Sequence, residues 1–298
     1  MATQLEIDRT YDYMDSALRR ALGEYPDLSG ALYDGDFSLT LEEAQRAKHE
    51  YALTGIGFTQ EMRILDIGCG WGPMLQAVRK RGGRAVGITL CEKQAAACRR
   101  NGLEAYVKDW KDMTVADYGT FGGIVSFGAF EHFCSMEDYR AGRQDDIYQH
   151  FFRLCDELLP SGGRLFLQTM VWERAPKIDD LSLDASKDSD EYIAALLAKF
   201  YPGSWLPYGQ EQICRNAAPF VQVSSVSGRA DYIHTMKEWR KRRIWLRVIG
   251  SPELPRLVKR FASDRDFRLQ LASLRRSCNR LCFERGIMNH FRMVFAKP

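Results

Sequence analysis

The sequence has no long hydrophobic run and no leader-like start. No stretch approaches the ~18 consecutive apolar residues of a membrane-spanning helix. Residues 1–15, which read MATQLEIDRTYDYMD, are too acidic and polar for a secretory signal peptide. These absences argue against a helical membrane protein and against a secreted one, and we predict a cytoplasmic protein.

Paired metal-ligand spacings are missing as well. The eight cysteines stand singly, without a C-x-x-C pair and without a Cys/His spacing that suits zinc. We therefore predict buried free thiols and expect no metal. The cysteines are Cys69, Cys91, Cys98, Cys134, Cys155, Cys214, Cys278 and Cys282.

The chain carries only a small excess of positive charge. The formal net charge is +3 over 298 residues, which is too small to favour nucleic acid, and we predict no nucleic-acid partner. Lysine and arginine cluster in the C-terminal third, at residues 237–243, 259–260 and 275–276. We interpret these clusters as a solvated helix face, and the alternatives are an acidic partner or transient contact with an anionic membrane surface.

What the sequence does have is a glycine-rich turn after a mostly apolar strand. Residues 63–67 run directly into Gly68, Gly70 and Gly72. Glycine lets the backbone turn sharply and approach a ligand without a Cβ in the way. The spacing G-x-G-x-G differs from the dinucleotide pattern G-x-G-x-x-G, and a second strand-like run follows at residues 84–90. The two runs predict a nucleoside pocket, with a glycine turn of some other Rossmann-like domain as the alternative.

Strand-like runs alternate with helix-like spacers along the chain, which predicts an α/β fold with a doubly wound, mostly parallel sheet. Ligands in such sheets sit beyond the carboxyl ends of the strands. The length favours one elaborated domain, with residues 1–60 as an N-terminal helical cap and residues 61–298 as the core. In the cap, Thr40 and Glu43 predict a capping box that opens a helix over residues 41–53. The predicted strands are 63–67, 84–88, 105–107, 123–127, 164–170, 221–226 and 291–295.

Two stretches interrupt the alternation of strand-like runs and helix-like spacers. Residues 172–218 combine a polar, acidic segment with a helix-like run at 192–200, and residues 236–285 read as mainly helical. We predict that both stretches form a lid-like layer over the substrate, while core packing is the alternative for their aromatic side chains. These side chains are Trp172, Phe200, Trp205, Trp239 and Trp245.

Six motifs, among them the glycine turn and the strand after it, occur in order along nearly the whole chain. They are residues 39–45 with Lys48, 65–72, 87–90 with Gln94, 129–133, 201–203 with 206–207, and 231–233 with Thr235. Together they resemble the cyclopropane fatty acid and mycolic acid cyclopropane synthase family of S-adenosylmethionine (SAM) methyltransferases. The resemblance implies the class I SAM methyltransferase fold: a Rossmann-like, mostly parallel seven-stranded sheet with an N-terminal helical cap and helical lids.

The resemblance also implies a cofactor and the residues that hold it. SAM is the expected cofactor, with S-adenosylhomocysteine (SAH) as its product. Lys111 stands where the family has a glutamate, and lysine cannot accept a hydrogen bond from the adenine amino group, so we expect it to bind through its backbone or not at all. The implied SAM-binding residues are Leu28, Ser29, Asp66, Gly68, Gly70, Gly72, Thr89, Leu90, Gln94, Trp110, Lys111 and Phe127.

The reaction centre of the family holds a bicarbonate base with a cysteine, a glutamate, a histidine and a tyrosine. Glu131 and Tyr232 match the glutamate and the tyrosine, and both are predicted to be catalytic. Gly30 stands at the cysteine position, and Arg174 falls at or near the histidine position. The resemblance therefore leaves two of the four anion ligands missing.

An incomplete anion site favours a reaction that needs no base. A carboxylate is already ionised at neutral pH and can attack the sulfonium methyl group directly. We therefore expect a methyltransferase that esterifies free fatty acids, similar to mycobacterial fatty acid O-methyltransferases. Gly30 would leave room for the head group, and Arg174 would pair with it. The alternatives are carbon methylation or cyclopropanation of a lipid alkene, methylation of a small amine, and a SAM-binding but inactive lipid-binding protein.

His132 lies beside Glu131 but is left out of the predicted catalytic set. Adjacent residues on a strand point to opposite faces, and most lone histidines in such runs are structural. We expect a packed side chain at this position.

Overall fold

A computed structural model describes residues 19, 21–23, 25–174, 178–201, 203–242 and 254–298. Within these residues, seven strands form one sheet in the order β3-β2-β1-β4-β5-β7-β6. The pairings among β1 to β5 are parallel, while β7 pairs antiparallel with both β5 and β6. The strands are β1 Arg63–Ile67, β2 Arg84–Thr89, β3 Glu104–Val107, β4 Gly123–Phe127, β5 Arg164–Trp172, β6 Val221–Ser227 and β7 Met288–Ala296.

Helices connect the parallel strands. The described helices are α1 Leu41–Gly55, α2 Pro73–Lys80, α3 Glu92–Arg100, α4 Val115–Tyr118, α5 Met136–Arg140, α6 Gln144–Leu158, α7 Asp190–Phe200, α8 Gly209–Arg215, α9 Arg229–Lys241, α10 Leu254–Ser263, α11 Arg265–Arg276 and α12 Cys278–Glu284. Short 3-10 turns lie at Trp110–Asp112, Phe130–His132 and Ile178–Asp180. None of the described helices is long and apolar enough to span a bilayer.

The central strands of the sheet are buried on both faces. Phe166 faces α1 and α2 and packs there with Ile56 and Val294. Its neighbour Leu167 points to the other face, where Phe151 of α6 joins the larger core cluster. A strand buried on both sides reads as a nearly continuous apolar run, and this explains why β5 was recognisable from its sequence.

The sequence predictions for the fold hold with small shifts in bounds. The doubly wound sheet is confirmed, and β1 and β4 begin and end at the predicted residues. The Thr40–Glu43 capping box is present, with Thr40 Oγ1 accepting from Glu43 N, and the helix that it opens extends to Gly55. β5 is longer than predicted because it pairs with β7 over nine residues, as far as Trp172.

The predicted cap and lids are described only in part. The undescribed residues are 1–18, 20 and 24 of the cap, 175–177 and 202 of the first lid, and 243–253 of the second, which include Trp245. The division into cap, core and lids stays a prediction. The described part of the first lid holds α7 and α8, and the second begins inside α9.

Candidate active site

A pocket lies beyond the carboxyl ends of β1, β2 and β4, as expected for a doubly wound sheet. Segments from distant parts of the chain close it, including residues 26–30 and side chains from α9 and β7. Most of the residues predicted from the sequence line this pocket. They are Leu28, Ser29, Gly30, Asp66, Gly68, Gly70, Thr89, Leu90, Gln94, Trp110, Phe127, Glu131 and Tyr232.

The glycine turn forms one wall of the pocket. Gly68 has a φ of 86°, and a Cβ at this position would lie 2.4 Å from the Cβ of Ala129. The backbone N–H groups of Gly68 and Cys69 both donate to the carbonyl of Ile88, at 2.9 and 3.0 Å. Glycine is needed here because a side chain would meet the segment that follows β4.

Gly72, the third glycine of the motif, is not among the pocket-lining residues. It is the N-cap of α2, and a Cβ there would lie 2.7 Å from Leu103 and 2.9 Å from the Cys98 sulfur. Its small size therefore serves close packing of the turn against α3 and β3.

Asp66 supplies a carboxylate at the end of β1. It is only 2% exposed, and its Oδ1 has no hydrogen-bond partner among the described residues. Burial raises the pKa of Asp66 to about 8, and the nearby Asp27 adds to this effect. Asp66 is therefore protonated at pH 7 while the pocket holds no cationic ligand, and a cationic group in the pocket would favour its ionised form.

The end of β2 and the turn after β3 form the opposite wall. Thr89 Oγ1 donates to Gln94 Oε1 at 2.7 Å and accepts from Cys91 N at 3.2 Å. Trp110 lies in the lining, and its indole N–H has no partner among the described residues. Lys111 is exposed and outside the lining, with its ammonium 5.7 Å from the Trp110 ring centroid. The structure therefore does not bring Lys111 into the pocket.

A buried ion-pair network holds the segment of residues 26–30 against the pocket. Lys48 is fully buried, and its ammonium contacts Asp27 Oδ2 at 2.5 Å and Ser29 Oγ at 2.6 Å. His49 Nε2 lies 2.9 Å from the same Asp27 oxygen. Burial alone would raise the pKa of Asp27, but Lys48 and His49 hold it well below the usual range. The carboxylate is thus ionised and ties the segment to α1.

Glu131 lies in the short 3-10 turn that follows β4. It is 7% exposed, and its Oε1 accepts a 2.9 Å hydrogen bond from Met170 N. Burial raises the pKa of Glu131 to about 8, and the Met170 bond opposes that rise only in part. Glu131 is therefore protonated at pH 7 while the pocket holds no positive charge.

Tyr232 and His290 lie side by side in the lining of the pocket. Tyr232 comes from α9 and His290 from β7, and their ring centroids are 4.9 Å apart. Burial, with Arg292 and Lys48 nearby, holds the pKa of His290 well below the usual range, so that its imidazole is neutral. The Nδ1 atom of His290 is buried without a hydrogen-bond partner among the described residues. His290 was not predicted as a site residue, although it directly precedes the predicted strand 291–295.

The space beside Gly30 is filled by these two rings. A Cβ at Gly30 would lie 3.0 Å from His290 Cε1 and 3.1 Å from Tyr232 Cδ2. Gln168 of β5 donates from Nε2 to the carbonyl of Gly30 at 3.1 Å, and its buried Oε1 has no partner among the described residues. The side of Gly30 to which a side chain would point is therefore occupied by the protein and leaves no room for a head group there.

Arg174 lies outside the pocket lining. Its side chain is 67% exposed, pairs with Asp190 at 3.3 Å and donates to the carbonyl of Arg285 at 3.1 Å. The structure does not bring this arginine near Gly30. Gln168, six residues earlier on β5, reaches that position instead.

His132 lines the pocket together with Glu131, so the prediction that these neighbouring side chains point to opposite faces was wrong. The two residues belong to the 3-10 turn Phe130–His132, where neighbouring side chains need not point to opposite faces. His132 Nδ1 lies 2.5 Å from Ser204 Oγ, and burial lowers the pKa of His132 to about 4. The imidazole is thus neutral and hydrogen-bonded, and its exclusion from the catalytic set stays a prediction.

Several known proteins are similar to this chain in sequence. Residues 2–245 match the family model described as mycolic acid cyclopropane synthetase. Cyclopropane mycolic acid synthase 1 of Mycobacterium tuberculosis is 31% identical over 235 residues, which are 77% of this chain and 78% of that protein. Cyclopropane mycolic acid synthase 2 of Mycobacterium leprae is 36% identical over 177 residues, and the match spans only 56% of its length.

Solved structures give the same result. The mycolic acid cyclopropane synthase CmaA1, solved in complex with SAH and CTAB, is 25% identical with a TM-score of 0.78, and the match covers 99% of each chain. Its SAH agrees with the cofactor predicted from the sequence. Coclaurine N-methyltransferase, solved with N-methylheliamine and SAH, is 18% identical with a TM-score of 0.75, and this likeness shows the shared fold alone. The fold is that of class I SAM methyltransferases, and the chain belongs to the mycolic acid cyclopropane synthetase family.

Proposed function

We propose that the chain is a SAM-dependent methyltransferase that transfers the methyl group to a carbon–carbon double bond of a lipid acyl chain. The single observation that carries this proposal is the pocket of Glu131, Tyr232 and His290 beside the glycine turn, in a family whose named relatives are cyclopropane mycolic acid synthases. Those names come from proteins of 31 to 36% identity, so the substrate class is the proposed step.

The lining residues suit SAM. Asp66 offers a buried, unpartnered carboxylate for an ammonium group, and the glycine turn at Gly68 and Gly70 gives the backbone close access. Thr89, Gln94 and Trp110 form the wall that would hold the nucleoside. When bound, SAM supplies a methyl group made electrophilic by its sulfonium.

Glu131, Tyr232 and His290 line the part of the pocket that we call the reacting end. This part suits a substrate without a charged head group. An alkene carbon that gains a methyl group leaves a carbocation on the lipid, and the lipid must then lose a proton to close a cyclopropane. Among the groups at this end, the neutral imidazole of His290 could receive the proton, and so could Glu131 once it is ionised, while the Tyr232 hydroxyl could only donate a hydrogen bond to such a base. His290 is neutral, and Glu131 ionises more readily when a cation occupies the same pocket.

Esterification of a free fatty acid is the second candidate, and it is less well supported. It was expected because Gly30 replaces the cysteine of the family's anion site. However, the tyrosine and histidine rings fill the space beside Gly30, and Arg174 is turned away toward Asp190. A carboxylate at the reacting end would also lie near Glu131, which would repel it whenever Glu131 is ionised.

One experiment separates the two reactions. Purified protein is incubated with trideuteromethyl SAM and either oleic acid, stearic acid or oleic acid methyl ester, and the products are fragmented by mass spectrometry. The proposal expects label within the acyl chain of both oleic substrates and none on stearic acid. A cyclopropane product has lost one deuterium to the base, whereas a methyl branch keeps all three.

The opposite result is equally clear. Labelled methyl ester from stearic acid, with no reaction of the blocked oleic ester, would replace the proposal with carboxyl methylation. Arg174→Ala serves as a matched control, because its side chain lies outside the pocket and turnover should stay within about twofold. A large loss in that variant would favour the carboxylate reaction.

A further inference from the structure

α10, Leu254–Ser263, has a strongly two-sided sequence. Leu254, Leu257, Val258 and Phe261 follow the spacing i, i+3, i+4 and i+7, which places them on one face of a helix. Basic residues occupy the opposite face, and the helix contains no acidic residue. This pattern is typical of helices that lie in the interface between water and lipid.

The apolar face of α10 is not packed into the described protein. Val258 is 58% exposed and Phe261 is 51% exposed, while Leu254 and Leu257 are half-buried. No residue of α10 is buried. Among the described elements, the main contact of α10 is with α11. Two large apolar side chains therefore stand in solvent on one turn of a helix, which marks an interaction surface.

The charge of this region selects an anionic partner. Between Leu254 and Arg268 the chain carries five basic residues and two acidic ones. Arg256 and Lys259 are exposed and form no ion pair with a described residue. Arg260 pairs with Asp264 at 3.1 Å and stacks over Phe267 at 4.7 Å. Two cations thus remain available to a negatively charged surface.

α10 is fixed at its C-terminal end. Arg268 Nη1 donates to the carbonyls of Phe261 and Ala262, at 2.7 and 3.1 Å, which satisfies acceptors left open at the last turn. Asp264 Oδ1 accepts from Phe267 N at 2.9 Å and starts α11. The exposed face is therefore part of a capped, defined helix.

A layer of helices connects α10 to the reacting end of the pocket. α10 packs on α11, and α11 packs on α12. Phe283 of α12 contacts the catalytic candidate Tyr232, with ring centroids 4.9 Å apart. An attachment point at α10 would therefore be joined to the pocket through packed structure.

We propose that α10 docks on an anionic phospholipid bilayer, with its apolar face in the headgroup region. The inference extends the proposed function, since an enzyme acting on acyl chains must take them from a lipid phase, but vesicle binding can be tested without turnover. A ten-residue helix is about 15 Å long, so it can lie in the membrane plane but cannot cross. A second copy of the chain fits less well, because it would bring two unpaired basic surfaces together.

The test measures cosedimentation of the full-length protein with vesicles. Vesicles of phosphatidylcholine alone are compared with vesicles that contain phosphatidylglycerol, at low and high salt. The wild type should bind the anionic vesicles, and salt should weaken binding. Arg256→Gln combined with Lys259→Gln should weaken that binding roughly 30-fold, at about fivefold for each cation. Val258→Ser combined with Phe261→Ser should weaken it at least about tenfold.

Matched variants elsewhere control for charge and hydrophobicity. Lys80→Gln with Arg100→Gln removes two exposed cations from α2 and α3, and Val223→Ser removes an apolar side chain that is 52% exposed on β6. Both should bind vesicles like the wild type. Retained binding in the α10 variants, or equal loss in the controls, would overturn the proposal.

Two further readouts separate the possible failures. If ultracentrifugation shows a dimer that Val258→Ser with Phe261→Ser abolishes, the face is a contact between copies and the proposal is wrong. Turnover on detergent-dispersed lipid should be unchanged in the α10 variants and reduced on vesicles. A protein that binds vesicles through α10 but methylates no lipid would leave the docking surface in place and remove the proposed function.

Discussion

Replacement of Gly68 by alanine is the sharpest test of the pocket, because the structure gives the collision directly. The added methyl group would lie 2.4 Å from the Cβ of Ala129, whereas nonbonded carbon atoms rest at about 3.5–4.0 Å. Gly68 also has a φ of 86°, where an L-residue costs roughly 1–2 kcal/mol. Both residues line the pocket, so the strain must be relieved within its wall.

The expected loss of SAM affinity follows from the hydrogen bonds that hold the turn. The N–H groups of Gly68 and Cys69 are fixed to the carbonyl of Ile88, so relief requires the turn and the segment at Ala129 to separate by more than about 1 Å. When groups that position a ligand move by about 1 Å, their contribution falls about 100-fold. We expect the dissociation constant for SAM to rise at least about 100-fold in a protein that still folds.

Calorimetric titration with SAM and SAH, combined with thermal melting, measures the effect. Gly57→Ala is the control for backbone strain, because Gly57 has a φ of 67°, a Cβ there meets nothing within 4 Å, and it lies outside the pocket lining. It should lower stability by about 1 kcal/mol and leave SAM binding unchanged. The double variant Gly68→Ala with Ala129→Gly removes the colliding methyl group and should recover much of the lost affinity.

Two results would refute this reasoning. One is unchanged SAM affinity in a folded Gly68→Ala protein. The other is a double variant that binds no better than Gly68→Ala alone, because the loss would then not come from the contact with Ala129.

The remaining predictions concern charge and proton transfer. Burial raises the pKa of Glu131 from 4.5 to about 8, so the stability that its protonated form contributes is fully present at pH 4.5 and below and is lost as pH rises through 8. In melting scans, Glu131→Gln should therefore be more stable relative to wild type at pH 9 than at pH 5. SAM affinity should also rise toward pH 8, by up to about tenfold per pH unit, with a flatter profile in Glu131→Gln. Tyr232→Phe and His290→Asn should each lower kcat about 100-fold with unchanged SAM affinity, and a parallel fall in melting temperature would indicate structural roles instead. Lys48→Met should cost about 3 kcal/mol in denaturant unfolding, because it leaves the buried Asp27 with too little positive charge, while Lys48→Arg should cost less.

The central strands of the sheet were predictable because they are buried on both faces. β1 and β4 read as short apolar runs that end in glycine, and both were bounded correctly. β7 was found but shortened, since Met288 and Asn289 extend it only through pairing with the end of β5. Local sequence indicates where a strand lies, whereas its full length depends on the neighbour with which it pairs.

The cofactor end of the pocket was predictable for a related reason. Most of its residues lie within a few positions of a strand end, so a motif in the sequence is also a cluster in space. Gly72 and Lys111 were predicted to bind SAM but do not line the pocket, and their positions in the chain explain why. Gly72 belongs to the motif but has already entered the cap of α2, and Lys111 is turned outward from the short helix that begins at Trp110.

The reacting end could not be read from motifs, because strands of different length meet there. β4 ends at Phe127, and its register partner on β5 is Gln168. β5 then runs four residues further, to Trp172, before Arg174 appears. At about 3.3 Å per residue, Arg174 lies some 20 Å along the chain from Gln168. A pocket beyond the carboxyl end of β4 is therefore lined by the middle of β5 rather than by the residues after it.

The same geometry brings His290 into the site. β7 lies antiparallel to β5, and His290 pairs with Met170, two residues beyond Gln168 and the residue whose N–H binds Glu131. The last strand thus delivers an imidazole beside Gly30, 260 positions earlier in the sequence. A reaction centre assembled by strand register can gain a residue in one place while it loses another elsewhere, so the absence of a family cysteine at Gly30 does not by itself remove a base from the pocket.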